Sequence, residues 1–215
     1  MRRRGSRLRN KFIPSGLLSY HNFNDNLLDS VGNNNGTGTP VYADGLNAQR
    51  VVDIGTGGGE RISLANRTLA GRSNVSISCM FKLKSNVICD IYGNWLSPNT
   101  CIQLMYYQNA LQCWIGGDTT EYLNFGAWSD FTNWHHLVFT KSPTEVKIYI
   151  DGVQFGTTKA STNTFRSGTQ EEMWGGAGNK TANIMIDGGG IWDKPLTQEE
   201  ITEIYNIQNA GNELV

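Results

Sequence analysis

Paired carboxylates, clustered cysteines and histidines, and aromatic rings beside amides are the groups from which this 215-residue chain could build chemistry. Acid–base cleavage of a glycoside needs two carboxyl groups facing one groove, about 5 to 9.5 Å apart. Glu171 and Glu172 are adjacent, so on a strand they point to opposite faces. Glu199, Glu200 and Glu203 fall in a C-terminal stretch with helical spacing and read as solvated surface. Cys79, Cys89, Cys101 and Cys113 form no C-x-x-C pair, and His21, His135 and His136 supply no complementary ligand spacing, which argues against zinc. His135-His136 beside Trp134 has no serine or cysteine placed to pair with it, so nucleophilic catalysis is not expected. The glycine-rich runs at 55–59 and 188–190 match no phosphate-binding loop and are expected to be tight turns or close backbone packing.

Stacking chemistry remains. The chain has six Trp, eight Tyr and eight Phe, and aromatic faces beside amides are what a sugar ring needs. Trp95, Tyr106, Tyr107, Trp114, Tyr122 and Trp128 crowd the central region. Trp95, Tyr106, Trp114 and Trp128 are the expected ligand-contacting rings. Trp114 stands out because it lies between Cys113 and Ile115, so strand alternation turns it away from their apolar side.

These groups must be carried by strands. Glycine supplies 25 residues and charged residues only 17%, a balance that favours many turns over long solvated helices. Short strands are predicted at 17–23, 50–54, 61–65, 75–83, 87–92, 101–107, 111–115, 134–141, 145–150, 153–157 and 183–192, with a long Asn/Asp/Gly loop over 24–45. In 75–83, Val75, Ile77, Cys79, Phe81 and Leu83 share one face. Cys79, Cys89 and Cys113 follow the apolar side of their strands, which predicts free buried thiols. Asp151-Gly152 predicts a two-residue hairpin turn. Thr197 and Glu200 form a capping box ahead of Ile201, Ile204, Tyr205 and Gln208 at helical spacing, so a short helix closes the chain.

Charge is sorted along the sequence. Arg2, Arg3, Arg4, Arg7, Arg9 and Lys11 give residues 1–11 a charge of +6, leaving 12 basic against 19 acidic residues, about −7, for the remainder. Residues 1–16 are therefore expected to be a basic arm that docks on an anionic partner, and 17–215 the folded domain. No apolar stretch follows the basic start and no window is long enough to span a membrane, so neither a secretion signal nor a span is expected.

Four stretches in order resemble a laminin-G-like or pentraxin-like domain of the concanavalin A-like jelly-roll superfamily. They are Leu18-Ser19-Tyr20-His21-Asn22-Phe23-Asn24-Asp25 with Asp29-Ser30-Val31-Gly32; Trp134-His135-His136-Leu137-Val138-Phe139-Thr140; Val146-Lys147-Ile148-Tyr149-Ile150-Asp151-Gly152; and Ile186-Asp187 through Pro195-Leu196-Thr197 to Ile201. The resemblance implies an all-β, two-sheet antiparallel jelly-roll sandwich with a short C-terminal helix. It also implies one structural calcium ion between the opening and last strands, where the matching carboxylates are Asp25 and Asp187. Hydrolases on this type of fold carry Glu-x-Asp-x-Glu on one strand, which this sequence lacks, so no enzyme activity is expected.

Fold does not dictate function. The basic arm and the missing export signal lead to a non-catalytic virion component: a bacteriophage capsid-decoration, head-fibre or tail protein, multicopy or homo-oligomeric. Its arm would dock on other subunits and its sandwich would bind host-surface glycans. The alternatives are an extracellular carbohydrate-binding or adhesion module and, third, a glycoside hydrolase.

Overall fold

The computed structural model describes residues 13–55, 60–94, 102–117, 119–165, 172–176 and 182–215. The basic residues Arg2 to Lys11, together with Trp95 and Cys101, lie outside them. Fifteen strands and one α-helix are described. The first half holds β1 (Leu17–His21), β2 (Gly36–Thr37), β3 (Val41–Asp44), β4 (Arg50–Ile54), β5 (Ile62–Leu64), β6 (Val75–Leu83) and β7 (Cys89–Gly93). Then follow β8 (Ile102–Tyr107), β9 (Ala110–Ile115), β10 (Glu121–Ala127), β11 (His135–Lys141), β12 (Glu145–Ile150), β13 (Val153–Ala160), β14 (Met173–Trp174), β15 (Ile184–Trp192) and α1 (Gln198–Asn209).

The strands form two antiparallel sheets. One has the order β13-β12-β11-β6-β15-β4-β3, with β1 also paired to β15; the other runs β10-β9-β8-β7-β14-β5-β2. Between them lies one apolar core that includes Ile77, Cys79 and Phe81 from β6 and Leu104, Leu111 and Cys113 from β8 and β9. Burying such side chains contributes roughly 1.5–3 kcal/mol each for the larger ones. This is the expected two-sheet sandwich with its closing helix. Cys79, Cys89 and Cys113 are buried, and Cys79 and Cys89 are free thiols.

Local chemistry explains the joints. Asp151 and Gly152 both have positive φ, the requirement of the turn that matches strand twist between β12 and β13. Gln108 and Asn109 do the same between β8 and β9, a hairpin that the sequence signals less plainly because glycine is absent from its turn. Thr197 caps α1, and Glu200 reaches back to the Thr197 backbone N–H. The loop expected over 24–45 contains β2 and β3, while β10 and β14 fall in stretches for which no strand is predicted. β2 and β14 have only two residues each, too short for periodicity to register.

The second face of β6 is also covered. Tyr20, Val138, Tyr149, Trp192, Leu196, Ile201, Ile204 and Leu214 form a smaller core between the eight-stranded sheet and α1. Ser76 fastens the approach to that helix, its hydroxyl donating to the Lys194 carbonyl (2.9 Å) and accepting from the Leu196 N–H (2.9 Å). Among the described residues no helix is long and apolar enough to cross a membrane.

Candidate functional site

Adjacent strands β7 to β10 set a row of mainly polar and aromatic side chains, with Asp90 and Met105 among them, on the outer face of the seven-stranded sheet. Directly opposed residues in an antiparallel pair leave the same face. Gln103 opposes Trp114, and Trp114 opposes Tyr122. Met105 opposes Gln112, which opposes Asn124, and Asp90 opposes Met105. Tyr107, two residues beyond Met105, joins them by strand alternation. The opposite side chains, Leu104, Tyr106, Leu111, Cys113 and Ile115, fill the core.

Three rings meet on this face. Trp114 lies edge-on between Tyr107 (centroids 5.6 Å apart, 83°) and Tyr122 (4.9 Å, 80°). Edge-to-face geometry of this kind is favourable by about 0.5–1.5 kcal/mol per pair beyond area burial. The indole Nε1 donates to Gln112 Oε1 (3.1 Å), and Gln112 Nε2 donates to the Tyr107 carbonyl (3.1 Å). Tyr122 is 61% exposed; Trp114 and Tyr107 are half-buried and Asn124 is exposed. Beneath them Gln103, fully buried, donates to Asp90 Oδ1 (3.1 Å), and its own Oε1 has no hydrogen-bond partner.

The other expected rings are placed elsewhere. Tyr106 is buried on the core side of β8, edge-on to Phe131 at 5.5 Å, with its hydroxyl donating to Asn109. Trp128 is buried against Phe81, His135 and Phe155, and its Nε1 donates to the Asp130 carbonyl. Both rings are buried, so neither offers a stacking surface. Trp95 lies outside the described residues. Tyr122 and Tyr107, present in the aromatic cluster but not among the favoured four, are the rings that join Trp114. The signal that finds them is cross-strand register, which one strand's periodicity does not contain.

The histidine pair also resolves. Ser78 Oγ lies 2.8 Å from His136 Nε2, a partner the linear sequence does not reveal because β6 and β11 are 58 positions apart in this pair. Both are fully buried, and Tyr205 of α1 stacks on His136, so the pair has no route to a substrate. Burial holds the His136 imidazole down at about 4. His135 instead sits between two carboxylates, Nδ1 at 2.7 Å from Asp151 and Nε2 at 3.2 Å from Asp130.

Asp25 and Asp187, the implied calcium pair, have different partners. Asp25 is exposed and pairs with Arg50 at 3.1 Å; Arg50 also holds Asp44 at 2.9 Å. Asp187 is buried, and burial, then the charge of Glu213, push its carboxyl up to about 7. Its Oδ1 has no hydrogen-bond partner, nor does Oε1 of buried Gln208. Gln208 Nε2 donates to the Gly188 carbonyl (2.7 Å), next to Asp187, and lies 3.5 Å from the Tyr20 hydroxyl. That hydroxyl donates to Glu213 (3.0 Å), which also accepts from Asn24 Nδ2 (2.6 Å). The acid whose charge bears on Asp187 is Glu213, and carboxylates with a partnerless amide oxygen are donors of the type a hard cation takes. Among the described residues no group of three or more His, Cys, Asp or Glu side chains could hold a metal, so the remaining calcium ligands would be amide or backbone oxygens and water.

A family model described as concanavalin A-like lectin/glucanases superfamily, of the Laminin_G_3 type, matches residues 56–202. No curated protein sequence matches the chain. Among solved structures, domain 4 of AbnA, a GH43 extracellular arabinanase from Geobacillus stearothermophilus, in complex with arabinotriose, is similar with a TM-score of 0.73 and 22% identity. The match covers 88% of this chain and 98% of that one. The binding domain of Paraclostridial Mosquitocidal Protein 1 is similar with a TM-score of 0.72 and 14% identity, over 89% of this chain and 52% of that one. The receptor-binding domain of botulinum neurotoxin D gives 0.70 and 16%, over 90% and 53%. This chain thus spans about half the length of the toxin binding domains it matches.

Proposed function

Because the chain belongs to the concanavalin A-like lectin/glucanases superfamily, we propose that it is a non-catalytic carbohydrate-binding module whose sugar-contacting surface is the outer face of β8 to β10. The observation that carries this reading is Trp114, fixed by Gln112 and flanked by Tyr107 and Tyr122 on a half-exposed sheet face. A sugar presents axial C–H groups to such rings and hydroxyls to amides such as Asn124. The arabinotriose complex of a structurally similar domain supports an extracellular glycan-binding role over the virion role. The carboxylates nearby are already engaged: Asp90 accepts from Gln103, and Glu121 accepts from Ser161 and Thr162. That commitment favours binding over hydrolysis.

The virion reading drew its weight from the basic arm, whose residues 2–11 lie outside the described part, and the comparisons add no support to it. We retain residues 1–16 as a separate basic segment directed at an anionic partner, on charge sorting alone.

A glycan array probed with the full chain and with residues 1–11 deleted, followed by calorimetry on the hits, tests the reading. Saturable binding by both forms that is weakened at least tenfold by Trp114→Ala supports it. Absence of binding to any glycan, or binding indifferent to Trp114→Ala and Tyr122→Ala, overturns it.

A further inference from the structure

Buried acceptors without donors gather where the last strand, α1 and the C-terminal tail meet. Asp187 Oδ1 and Gln208 Oε1 are both on side chains more than nine-tenths buried, and neither has a hydrogen-bond partner. A buried acceptor left unsatisfied costs about 1–3 kcal/mol, more for a charged group. Two such atoms beside a second carboxylate call for something positive between them. The second carboxylate is Glu213, brought in by the tail after α1 and held by the Tyr20 hydroxyl and Asn24. The next residue is tied to the same hydroxyl, Leu214 N–H lying 3.4 Å from it. The tail therefore reaches the opening strand and its following loop through the Glu213 carboxylate and the Leu214 N–H.

We propose that Glu213, not Asp25, is the second carboxylate toward a calcium-type cation held at Asp187 and Gln208, and that cation binding and docking of the C-terminal tail are a single event. Calcium at this general place is what the family resemblance implies; the coupling to the tail follows from this chain's own residues. The ion supplies charge neutralisation and cross-linking, not chemistry on a ligand. Asp25 is committed to Arg50 on the exposed side of the loop. With the ion bound, Asp187, Gln208 and Glu213 link β15, α1 and the tail. Without it, two carboxylates repel across a buried site and the tail is the element free to leave.

The test uses the full chain stripped with EDTA and titrated with CaCl2 at fixed ionic strength, read by thermal midpoint and by amide exchange at residues 210–215. The expected result is a rise of several degrees in midpoint and slowed exchange in the tail, with one shared calcium midpoint. Glu213→Gln and Asp187→Asn should each weaken calcium binding at least tenfold, and Asp25→Asn should change it less than twofold. Near-ultraviolet circular dichroism checks that the variants are folded. A wild-type chain indifferent to calcium in both readouts overturns the proposal, since a shared proton then satisfies the acids. So does a Glu213→Gln variant that binds calcium as the wild type does, or an Asp25→Asn variant that loses it.

Discussion

Trp114 Nε1 donates to Oε1 of Gln112, its neighbour two residues back on the same face of β9, at 3.1 Å. The bond spends the indole's one polar group inside the protein and sets the ring's tilt between Tyr107 and Tyr122. Replacing Gln112 with Leu frees the indole to rotate. On the proposed surface this should weaken glycan binding about tenfold, ~1.4 kcal/mol, while the thermal midpoint moves by only a few degrees. Calorimetry beside differential scanning separates the two effects; equal affinity for the wild type and the variant rejects the positioning role.

His135 should give the domain a stability that declines on the alkaline side. Its bond to Asp151, against the opposing effect of burial, and then its bond to Asp130 raise its pKa above 6.5. The stabilisation is therefore complete below about pH 6.5 and lost as pH rises through the higher folded value. Asp130, held down by Asn133 and the Thr132 N–H, and Asp151, held down by His135 against the effect of burial, act in the other direction. Their share is present above about pH 4 and fades in acid. In His135→Gln the fall in urea midpoint between pH 6 and pH 8.5 should flatten, by about 1 kcal/mol or less.

Glu172 titrates in the opposite sense from an ordinary surface acid. Burial pushes it up to about 7, although the Tyr92 hydroxyl (2.5 Å) and Leu69 N–H (2.6 Å) favour its charged form. A carboxyl raised on folding stabilises when protonated, so its contribution fades as pH climbs from about 4.5 to about 7. Glu172→Gln removes that slope, and the variant should gain on the wild type by about 2 kcal/mol on going from pH 5 to pH 8. Parallel urea-unfolding curves for both proteins across that range would refute it.

Gly156 allows the edges of the two sheets to meet. Its φ is +70°, and a Cβ there would lie 2.0 Å from the Phe125 carbonyl oxygen of β10. Since that oxygen is backbone, no rotamer relieves the clash. Gly156→Ala should destabilise the domain by more than about 1 kcal/mol, visible as a lowered denaturant midpoint with unchanged slope.

Much of the sandwich is legible in the sequence because burial on one face imposes a period of two. β4, β6 and β12 emerge with the bounds their alternation predicts, and the Asp151-Gly152 turn and the Thr197–Glu200 capping box are local codes that need no partner. Alternation also turns Trp114 outward. It does not see β10, where Tyr122 and Asn124 alternate with Leu123 and Phe125 only until a bulge breaks the register.

The sequence by itself determined the class of fold, the strand faces and the helix cap, because these depend on residues within a few positions of one another. Which rings share a surface was decided only by tertiary structure. Tyr122 reaches Trp114 across β9 and β10, Tyr106 turns inward, and Trp128 is sealed under Phe155 of the other sheet. The same holds for the acids: Asp25 and Asp187 match in linear pattern, yet Arg50 takes the first, and the tail brings Glu213 to the second from 26 residues further along the chain. Contacts between distant segments depend on how whole sheets pack, and the period of a single strand carries no record of which neighbour it will meet.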